Sequence, residues 1–267
     1  MTRSAALALG ALLLGLCLAA STAAAAAQLP FKADPLQARP ASCLSCSGCS
    51  TDPCQTNTPG GLLLLTNFWD YSPATGPDDV WTLHGVWPDR CSGGYDASCD
   101  SSRNHGDIAG ILRGANATDV LDYMNQYWLD IRGNDNSFWS HEWNKHGTCV
   151  STLVPSCYEA YTPNQEVVDF FRTATELHRR YSTYDALAEA GIVPSATKTY
   201  ALAELQAAVE AKYGHGASFR CRGANLNEAW YYFFTEGRST SADAFVQTAP
   251  LAKDNGCPRT GIRYLPK

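Results

Sequence analysis

Two short segments of the 267-residue sequence concentrate side chains that can transfer protons. Residues 81–88, with the sequence WTLHGVWP, contain His84, and residues 140–149, with the sequence SHEWNKHGTC, contain His141 and His146. Half of the six histidines therefore lie in these two aromatic-rich stretches. Histidine titrates close to neutral pH and is the most common general acid or base. The two segments are the first candidates for a catalytic site.

The second segment places four ionisable side chains on one face of a helix. At about 100° per residue, His141, Lys145, Glu142 and His146 lie at about 0°, 40°, 100° and 140°, and Trp143 lies on the other side. The tryptophan side can pack into the core while the ionisable side faces a cleft. The alternative is a solvated surface helix with incidental charges. We disfavour it, because the tryptophan and a disulfide expected at the end of the segment indicate buried surroundings.

This set of groups suits the cleavage of a phosphodiester. One histidine can remove a proton from an attacking hydroxyl, and a second can protonate the leaving oxygen. His84, at the end of a predicted strand and distant in the sequence, can act from the opposite wall of the cleft. Lysine and a cationic histidine balance the charge that develops on the phosphoryl oxygens, and Glu142 can orient a histidine or, when protonated, reach the phosphoryl group. The scheme requires no metal ion and no cofactor.

Two metal-binding interpretations are disfavoured. A zinc-protease motif needs two histidines four residues apart, so that both reach one ion. His141 and His146 are five apart and diverge by about 140° around a helix. The spacing Cys43-x-x-Cys46-x-x-Cys49 also resembles a metal cluster, but it lacks a second cysteine pair or nearby histidines. Disulfides are the favoured interpretation of these cysteines.

The elements that must position these residues follow from the apolar patterning. Short apolar runs predict strands at residues 61–69, 80–87 and 229–234, with Pro88 ending the second. Helical spacing predicts helices at residues 119–131, 166–181, 184–190 and 201–213. Strands and helices are mixed without a regular βαβ alternation, and no linker divides them. The pattern therefore predicts a single α+β domain.

The amino terminus predicts export. Residues 1–27 are typical of a secretory signal, with Arg3 before an apolar run of about 16 residues and then a tract of small residues. A membrane anchor is the weaker interpretation because the run is short. We predict a short extended lead or pro-segment at residues 28–42 and the catalytic domain at residues 43–267. The expected location is extracellular, with a vacuolar or lysosomal lumen as the alternative and no membrane association after removal of the signal.

The cysteine content supports an oxidising compartment. The sequence has 11 cysteines, and removal of the predicted signal removes Cys17. Ten remain, which predicts five disulfides without deciding their pairing. The ten are Cys43, Cys46, Cys49, Cys54, Cys91, Cys99, Cys149, Cys157, Cys221 and Cys257. Asn116, in the triplet Asn-Ala-Thr, is the one N-glycosylation acceptor that the sequence offers.

The net charge disfavours a protein that binds nucleic acid through a broad basic surface. The formal charge is −6, and it is −7 when Arg3 has been removed (19 − 26). An anionic substrate then requires a locally basic cleft and an acidic working pH, since histidines gain charge below about pH 6. We expect a bell-shaped rate profile with an acidic optimum, because one catalytic histidine must be neutral and the other protonated. We also expect a shallow salt dependence, because few phosphates are neutralised.

The two segments resemble the active-site segments of the ribonuclease T2 family, the secreted acid ribonucleases. The likeness extends from about Cys43 to Lys267 and is closest to the fungal members. The resemblance implies a disulfide-linked domain with a central antiparallel sheet and packed helices. It implies cleavage of single-stranded RNA with little base specificity, in which the 2′-hydroxyl attacks the phosphorus and forms a 2′,3′-cyclic phosphate. Slower hydrolysis then gives a 3′-phosphate, and DNA, which lacks that hydroxyl, is not cut.

The family's site residues correspond to positions within intact motifs. By resemblance, His146 is the general base and His84 the general acid. Glu142 and Lys145 assist the phosphoryl transition state, and His141 helps to bind phosphate.

The base-binding residues correspond in the same way. Trp87, Asp89 and Tyr95 match the residues that hold the base on the 5′ side of the cut, where an aromatic platform tolerates many bases. Asp89 can accept from an exocyclic amine, which would favour adenine mildly. Phe138 resembles a platform for the second base. The alternative for all four is ordinary core or loop packing.

The resemblance also implies disulfides. It pairs Cys99 with Cys149 and Cys221 with Cys257, and it pairs Cys91 and Cys157 with cysteines of the amino-terminal cluster. Within that cluster the sequence departs from its fungal relatives, which typically carry two adjacent cysteines where this chain has one at position 54. The pairing inside the cluster therefore stays open.

Two alternative functions remain. A secreted RNA-binding, storage or effector protein on the same scaffold would be expected to lose His84 or His146, and both are present. A metal-dependent nuclease would lose activity in EDTA. Under the favoured hypothesis the protein is a monomer, its partner is the RNA substrate, and it binds no metal or cofactor.

Overall fold

The computed structural model describes residues 43–267, which form a five-stranded sheet and six α-helices. The strands are β1 (Leu62–Phe68), β2 (Thr82–Asp89), β3 (Ser218–Arg222), β4 (Asn225–Thr235) and β5 (Phe245–Thr248). The helices are α1 (Ile108–Gly114), α2 (Thr118–Tyr127), α3 (Asp135–Lys145), α4 (Gln165–Arg180), α5 (Thr183–Glu189) and α6 (Leu202–Tyr213). The predicted signal and lead, residues 1–42, lie outside the described residues.

All strand pairs of the sheet are antiparallel. The order is β2-β1-β4-β3, and β5 pairs with the carboxyl-terminal half of β4. The α+β class with a central antiparallel sheet is thus confirmed. The strands alternate their side chains between the two faces of the sheet, as the period of 2 requires. The two faces consequently have different surroundings.

The helices cover the first face. Leu63 and Leu65 of β1 join Phe171 and Leu177 of α4 in the main core, together with Tyr231 of β4. Each of these side chains is fully buried, and burying one aliphatic or aromatic side chain contributes about 1.5–3 kcal/mol. The apolar side of α4 therefore packs against the first face of the sheet.

The second face has a smaller apolar cluster. Leu62, Leu64 and Tyr232 are its buried members, and Trp87 and Trp230 pack against them as partly buried side chains. The two tryptophans belong to different strands, β2 and β4, on either side of β1. The aromatic part of the first motif therefore lies on this face.

Three predicted boundaries are wrong, and one of them is the start of the strand predicted at residues 229–234, because β4 begins at Asn225. The helix predicted at residues 119–131 ends at Tyr127, because the backbone turns at Trp128, whose indole N–H donates to the carbonyl of His84. The strand predicted to stop before Pro88 runs through it to Asp89. β2 is an edge strand with one neighbour, and an edge tolerates proline because it has N–H groups without a partner strand. α1, β3 and β5 were not predicted.

Five disulfides cross-link the described residues. The pairs are Cys43–Cys49, Cys46–Cys91, Cys54–Cys157, Cys99–Cys149 and Cys221–Cys257. The last two have the pairing that the resemblance implies, and Cys91 and Cys157 both bond to the amino-terminal cluster. Cys99–Cys149 joins the loop before α1 to the short turn after α3. Between residues 43 and 267, no helix is both long and apolar enough to span a bilayer.

Candidate active site

His84 occupies a β-bulge in the edge strand. Thr66 of β1 lies opposite Gly85, whereas Asn67 lies opposite Leu83, so His84 is the extra residue of β2. A bulge changes the direction in which its side chain points. The His84 ring stacks on Phe68, with 3.9 Å between the ring centroids, and its Nε2 lies 3.7 Å from Oε1 of Glu142. The bulge thus points the imidazole towards α3.

The second motif forms the carboxyl-terminal half of α3 and the turn that follows it. The side chain of Asn134 caps its first turn by accepting from the N–H of Ser137, and Trp139 and Trp143 anchor one side of the helix in the core. The last helical residue is Lys145. His146 follows as the carboxyl-terminal cap, and its N–H donates to the carbonyl of Glu142.

Glu142 is held by contacts from β2. It is 1% exposed, and its Oε2 accepts a hydrogen bond from Trp87 Nε1 at 3.0 Å. A Cβ at position 85 would lie only 2.1 Å from that oxygen, so the glycine provides the space for the carboxylate. Burial raises the pKa of Glu142 to about 8, although the Trp87 hydrogen bond and Lys145 act in the opposite direction.

Burial disfavours the charged forms of both His84 and Glu142. It lowers the pKa of His84 well below its ordinary value, and the nearby His146 and Lys145 lower it further. Desolvation therefore favours a neutral imidazole beside a protonated carboxyl, with 3.7 Å between His84 Nε2 and Glu142 Oε1.

His146 is also buried, and its neutral form is favoured. It is 2% exposed, and burial lowers its pKa to about 3, with Lys145 and then His141 adding repulsion. Neither ring nitrogen has a hydrogen-bond partner within the described residues. Packing positions the ring instead, because it stacks on Trp87 with 5.0 Å between centroids.

Trp87 contacts both histidines. Its ring centroid is 4.7 Å from that of His84, edge to face, and 5.3 Å from that of Trp230. With the stacked His146 and the hydrogen-bonded Glu142, this one indole contacts both imidazoles and the carboxylate. Packing on a single ring therefore helps to hold all three groups.

Two basic side chains lie at the rim. Lys145 is half-buried, with its Nζ 5.5 Å from the centroid of the Tyr95 ring, and His141 is exposed. Burial, followed by repulsion from Lys145, lowers the pKa of His141.

The predicted base-binding residues divide into two groups. Asp89 and Tyr95 form a backbone bridge next to Trp87, and the Tyr95 ring is 5.9 Å from His146. Phe138 of α3 lies on the other side, 5.8 Å from the His84 ring. Burial, with repulsion from Asp254, raises the pKa of Asp89 to about 7. The four aromatic and acidic side chains therefore flank the catalytic groups.

The remaining histidines lie outside the site. His178 is buried, its Nε2 bonds to the carbonyl of Trp81, and its Nδ1 bonds to the hydroxyl of Tyr123. The carbonyl can only accept, so Nε2 carries the proton and Nδ1 accepts from tyrosine. His105 exchanges backbone hydrogen bonds with the side chain of Asn144. These roles are structural.

Sequence reasoning missed Phe68, Gly85 and Trp230. Phe68 falls in an apolar run, and only the pairing of β1 with β2 places it on His84. Gly85 belongs to the first motif, but its importance depends on the position of Glu142. In the part of the chain that the structure describes, no group of three or more His, Cys, Asp and Glu side chains could hold a metal ion. Asn116 is exposed and directly precedes Ala117, the cap of α2.

The fold is that of an α+β protein, and two buried or partly buried histidines, a buried carboxyl and a partly buried indole lie together beside its antiparallel sheet. A family model described as "Ribonuclease T2 family" matches residues 60–245. The chain belongs to the ribonuclease T2 family.

Similar proteins agree with this assignment. A "Ribonuclease T2-like" protein of Aspergillus fumigatus is 50% identical over 216 residues, which is 81% of this chain and 53% of that protein. This chain thus spans about half the length of that relative. "Ribonuclease T2" of Aspergillus oryzae is 42% identical over 94% of this chain and 90% of that protein. The crystal structure of Actibind, described as a T2 ribonuclease, superposes with a TM-score of 0.80 at 43% identity, covering 85% of this chain and 96% of that chain.

Proposed function

We propose that this protein is a secreted, metal-independent endoribonuclease that cleaves single-stranded RNA with little base specificity. One observation supports the proposal above the others. The imidazoles of His84 and His146 both contact the indole of Trp87, and Glu142 lies 3.7 Å from His84. Such a site can take a proton from one oxygen and give a proton to another, which is what transesterification of RNA requires.

The first step uses the 2′-hydroxyl of RNA as the nucleophile. His146 takes the hydroxyl proton, the 2′-oxygen bonds to the phosphorus, and the bond from phosphorus to the 5′-oxygen breaks. His84 gives its proton to that leaving oxygen, and the pair with Glu142 is left without a proton. The products are a 2′,3′-cyclic phosphate and a free 5′-hydroxyl. DNA lacks the nucleophile and is not a substrate.

The second step is slower hydrolysis with the roles reversed. His84 takes a proton from water, the water oxygen bonds to the phosphorus, and the bond from phosphorus to the 2′-oxygen breaks. The protonated His146 returns its proton to the 2′-oxygen, which gives a 3′-phosphate. Both histidines are then in their starting states.

The two basic side chains at the rim stabilise the charge on the phosphoryl oxygens. In this proposal Lys145 and His141 bind the phosphate and balance the negative charge that develops on its oxygens. Preorganised donors in a partly dry site stabilise a transition state more than they would in water. No step of this scheme requires a metal ion.

The aromatic side chains bind the bases that flank the cut. In this proposal Trp87, Asp89 and Tyr95 form the site for the 5′-side base, and Phe138 forms the site for the second base. Stacking is tolerant of sequence because every base has an aromatic face. His146 already covers one face of Trp87, so a base would use the remaining surface of that ring.

The rest of the proposal concerns the setting of the enzyme. Residues 1–27 direct export, residues 28–42 form a lead, and residues 43–267 act as one monomeric domain with carbohydrate on Asn116. The exposure of Asn116 supports modification. A vacuolar or lysosomal lumen remains the alternative location.

A second candidate is a non-catalytic RNA-binding or effector protein on the same scaffold. The complete acid–base set argues against it, since binding alone needs neither a neutral His146 nor a proton on the His84–Glu142 pair.

The test is a comparison of kcat/KM for His146→Ala, His84→Ala and the parent protein on a short RNA in EDTA. We expect each substitution to lower kcat by more than about 100-fold, which is the usual contribution of a general acid or base. His215→Ala, on an exposed histidine, is the matched control and should retain full activity. Equal activity of the parent and His146→Ala proteins would overturn the proposal, and loss of the parent activity in EDTA would overturn its metal independence.

A further inference from the structure

The second face of the sheet continues beyond the catalytic groups. Gly85 on β2 lies opposite Thr66 on β1, and Thr66 lies opposite Trp230 on β4. Thr66 is small, so the Trp230 ring reaches across it and contacts Trp87. The next strand, β3, adds Arg220. A continuous row of side chains therefore leads away from the site across three strands.

The guanidinium group of Arg220 stacks on the indole ring of Trp230. The guanidinium carbon of Arg220 lies 4.4 Å from the centroid of the Trp230 ring, and its Nη1 donates to the carbonyl of Asp254 at 3.1 Å. The indole N–H of Trp230 donates to Glu228 at 2.7 Å. Both planes are thus fixed by hydrogen bonds at their edges, while both side chains are only half-buried.

The charge along this row is positive at its outer end. Arg222, two residues after Arg220 on the same strand, is exposed, and within the described residues it takes part in no ion pair at hydrogen-bond distance. Glu228 is the acidic group between them. Burial raises the pKa of Glu228, while its hydrogen bond from Trp230 and the two arginines act in the opposite direction. Asp70, a buried carboxyl, also interacts with Arg222, so the two arginines face two carboxyls and Arg222 is the exposed cation at the end of the row.

Aromatic rings and guanidinium planes beside free cations are the groups that single-stranded nucleic acids bind. Bases stack on such planes whatever their sequence, and the phosphates pair with arginine or lysine. Three strand spacings separate β2 from β3, which is about 14 Å. In the proposed function Trp87 and Phe138 hold the two bases at the cut, so a base on Arg220 and Trp230 would belong to a further nucleotide.

We propose that Trp230, Arg220 and Arg222 form an additional RNA subsite, which binds nucleotides of the single-stranded substrate beyond the two that flank the cut. A base stacks on the Arg220–Trp230 pair, and Arg222 binds a phosphate. The subsite rests on the proposed ribonuclease function and deepens it, because it makes a longer single strand the better substrate.

The test compares two substrate lengths in two variants. For Arg220→Gln, which keeps a donor for the carbonyl of Asp254, we expect KM for an eight-nucleotide RNA to rise by about 5-fold or more, the effect expected from one lost base stack. Arg222→Gln should raise the same KM and reduce its dependence on salt. Both variants should cleave a dinucleoside monophosphate with unchanged kcat and KM. Arg113→Gln, at an exposed arginine of α1, is the matched control.

Three outcomes decide the matter. An unchanged KM for the long RNA in both variants would overturn the subsite. Equal losses on both substrates would assign the arginines a structural role and also overturn it. If the parent protein cleaves neither substrate, the proposed function fails, and binding of a 2′-O-methyl octanucleotide to the parent and Arg222→Gln proteins still tests the subsite. Equal affinity of those two proteins would overturn it.

Discussion

Gly85→Ala tests the positioning of Glu142 without removing a charged group. A Cβ at this position would lie 2.1 Å from Glu142 Oε2 and 2.9 Å from Trp87 Nε1. The φ of Gly85 is outside the left-handed region, so alanine is compatible with the local backbone and the contact alone causes the effect. The substitution therefore acts on the carboxylate and on the indole that holds it.

The size of the effect follows from the geometry. To restore even a 3.0 Å separation, the carboxylate must retreat by about 0.9 Å, and a misplacement of about 1 Å in a catalytic site costs about 100-fold in rate. The indole-to-carboxylate hydrogen bond is also lost, which lowers the free energy of unfolding by about 1 kcal/mol. We expect a large fall in kcat with a folded protein.

The assay measures kcat/KM on a dinucleoside monophosphate across pH 4–9, with circular dichroism to confirm folding. Displacement of Glu142 leaves His84 to hold its proton alone, so the alkaline limb of the profile should move to lower pH. Gly106→Ala is the control, because a Cβ there meets nothing within 4 Å and its φ is also outside the left-handed region. A Gly85→Ala protein with the kcat and the pH profile of the parent would refute the assigned role of Glu142.

Three further predictions concern protons. Glu142→Gln should move the alkaline limb of the kcat/KM profile from about pH 8 to below pH 7, because burial lowers the pKa of the remaining His84. An alkaline limb at the same pH in the parent and the variant would contradict the proposal that Glu142 and His84 hold the catalytic proton together. Burial lowers the pKa of His178 to about 4 in the folded protein. Between pH 6.5 and 4 the unfolded chain therefore binds more protons than the folded protein. The free energy of unfolding should fall by about 3 kcal/mol as the pH falls through that window. His178→Gln, which can keep both hydrogen bonds, should flatten this dependence in urea titrations, and an identical slope would refute it. The pKa of the Asp89 carboxyl is raised to about 7, so below that pH the carboxyl is protonated and can donate a hydrogen bond. The relative kcat/KM of substrates that differ in the 5′-side base should therefore change between pH 5 and 8 in the parent protein but not in Asp89→Asn.

The sequence predicts most strongly the features that depend on local periodicity. The spacing of apolar residues locates β1 and α4 to within one or two residues, because each buries a continuous stripe. The 3.6-residue period likewise places Glu142 and His146 on one face of a helix, and the structure buries both. α1 was missed because seven residues with two glycines have little helical signal, and β3 because two arginines interrupt five residues.

The features that depend on strand pairing could not be predicted. The bulge at His84 exists only because β1 shifts its register against β2, and no local pattern encodes that shift. The stacking of Phe68 on His84 follows from the same pairing. The contact of Trp87 with His146 requires the end of α3 to meet β2, which tertiary packing decides.

The central claim is attack by a 2′-hydroxyl under acid–base control of the two histidines. The most direct measurement incubates the oxidised protein at pH 5 in EDTA with a DNA strand that contains a single ribonucleotide, and identifies the fragments by mass. We predict one cut, on the 3′ side of the ribonucleotide, a 5′ fragment that ends in a 2′,3′-cyclic phosphate, and no product with the His146→Ala protein. Cleavage at deoxyribonucleotides, or a linear phosphate with no cyclic precursor at the earliest times, would contradict the mechanism.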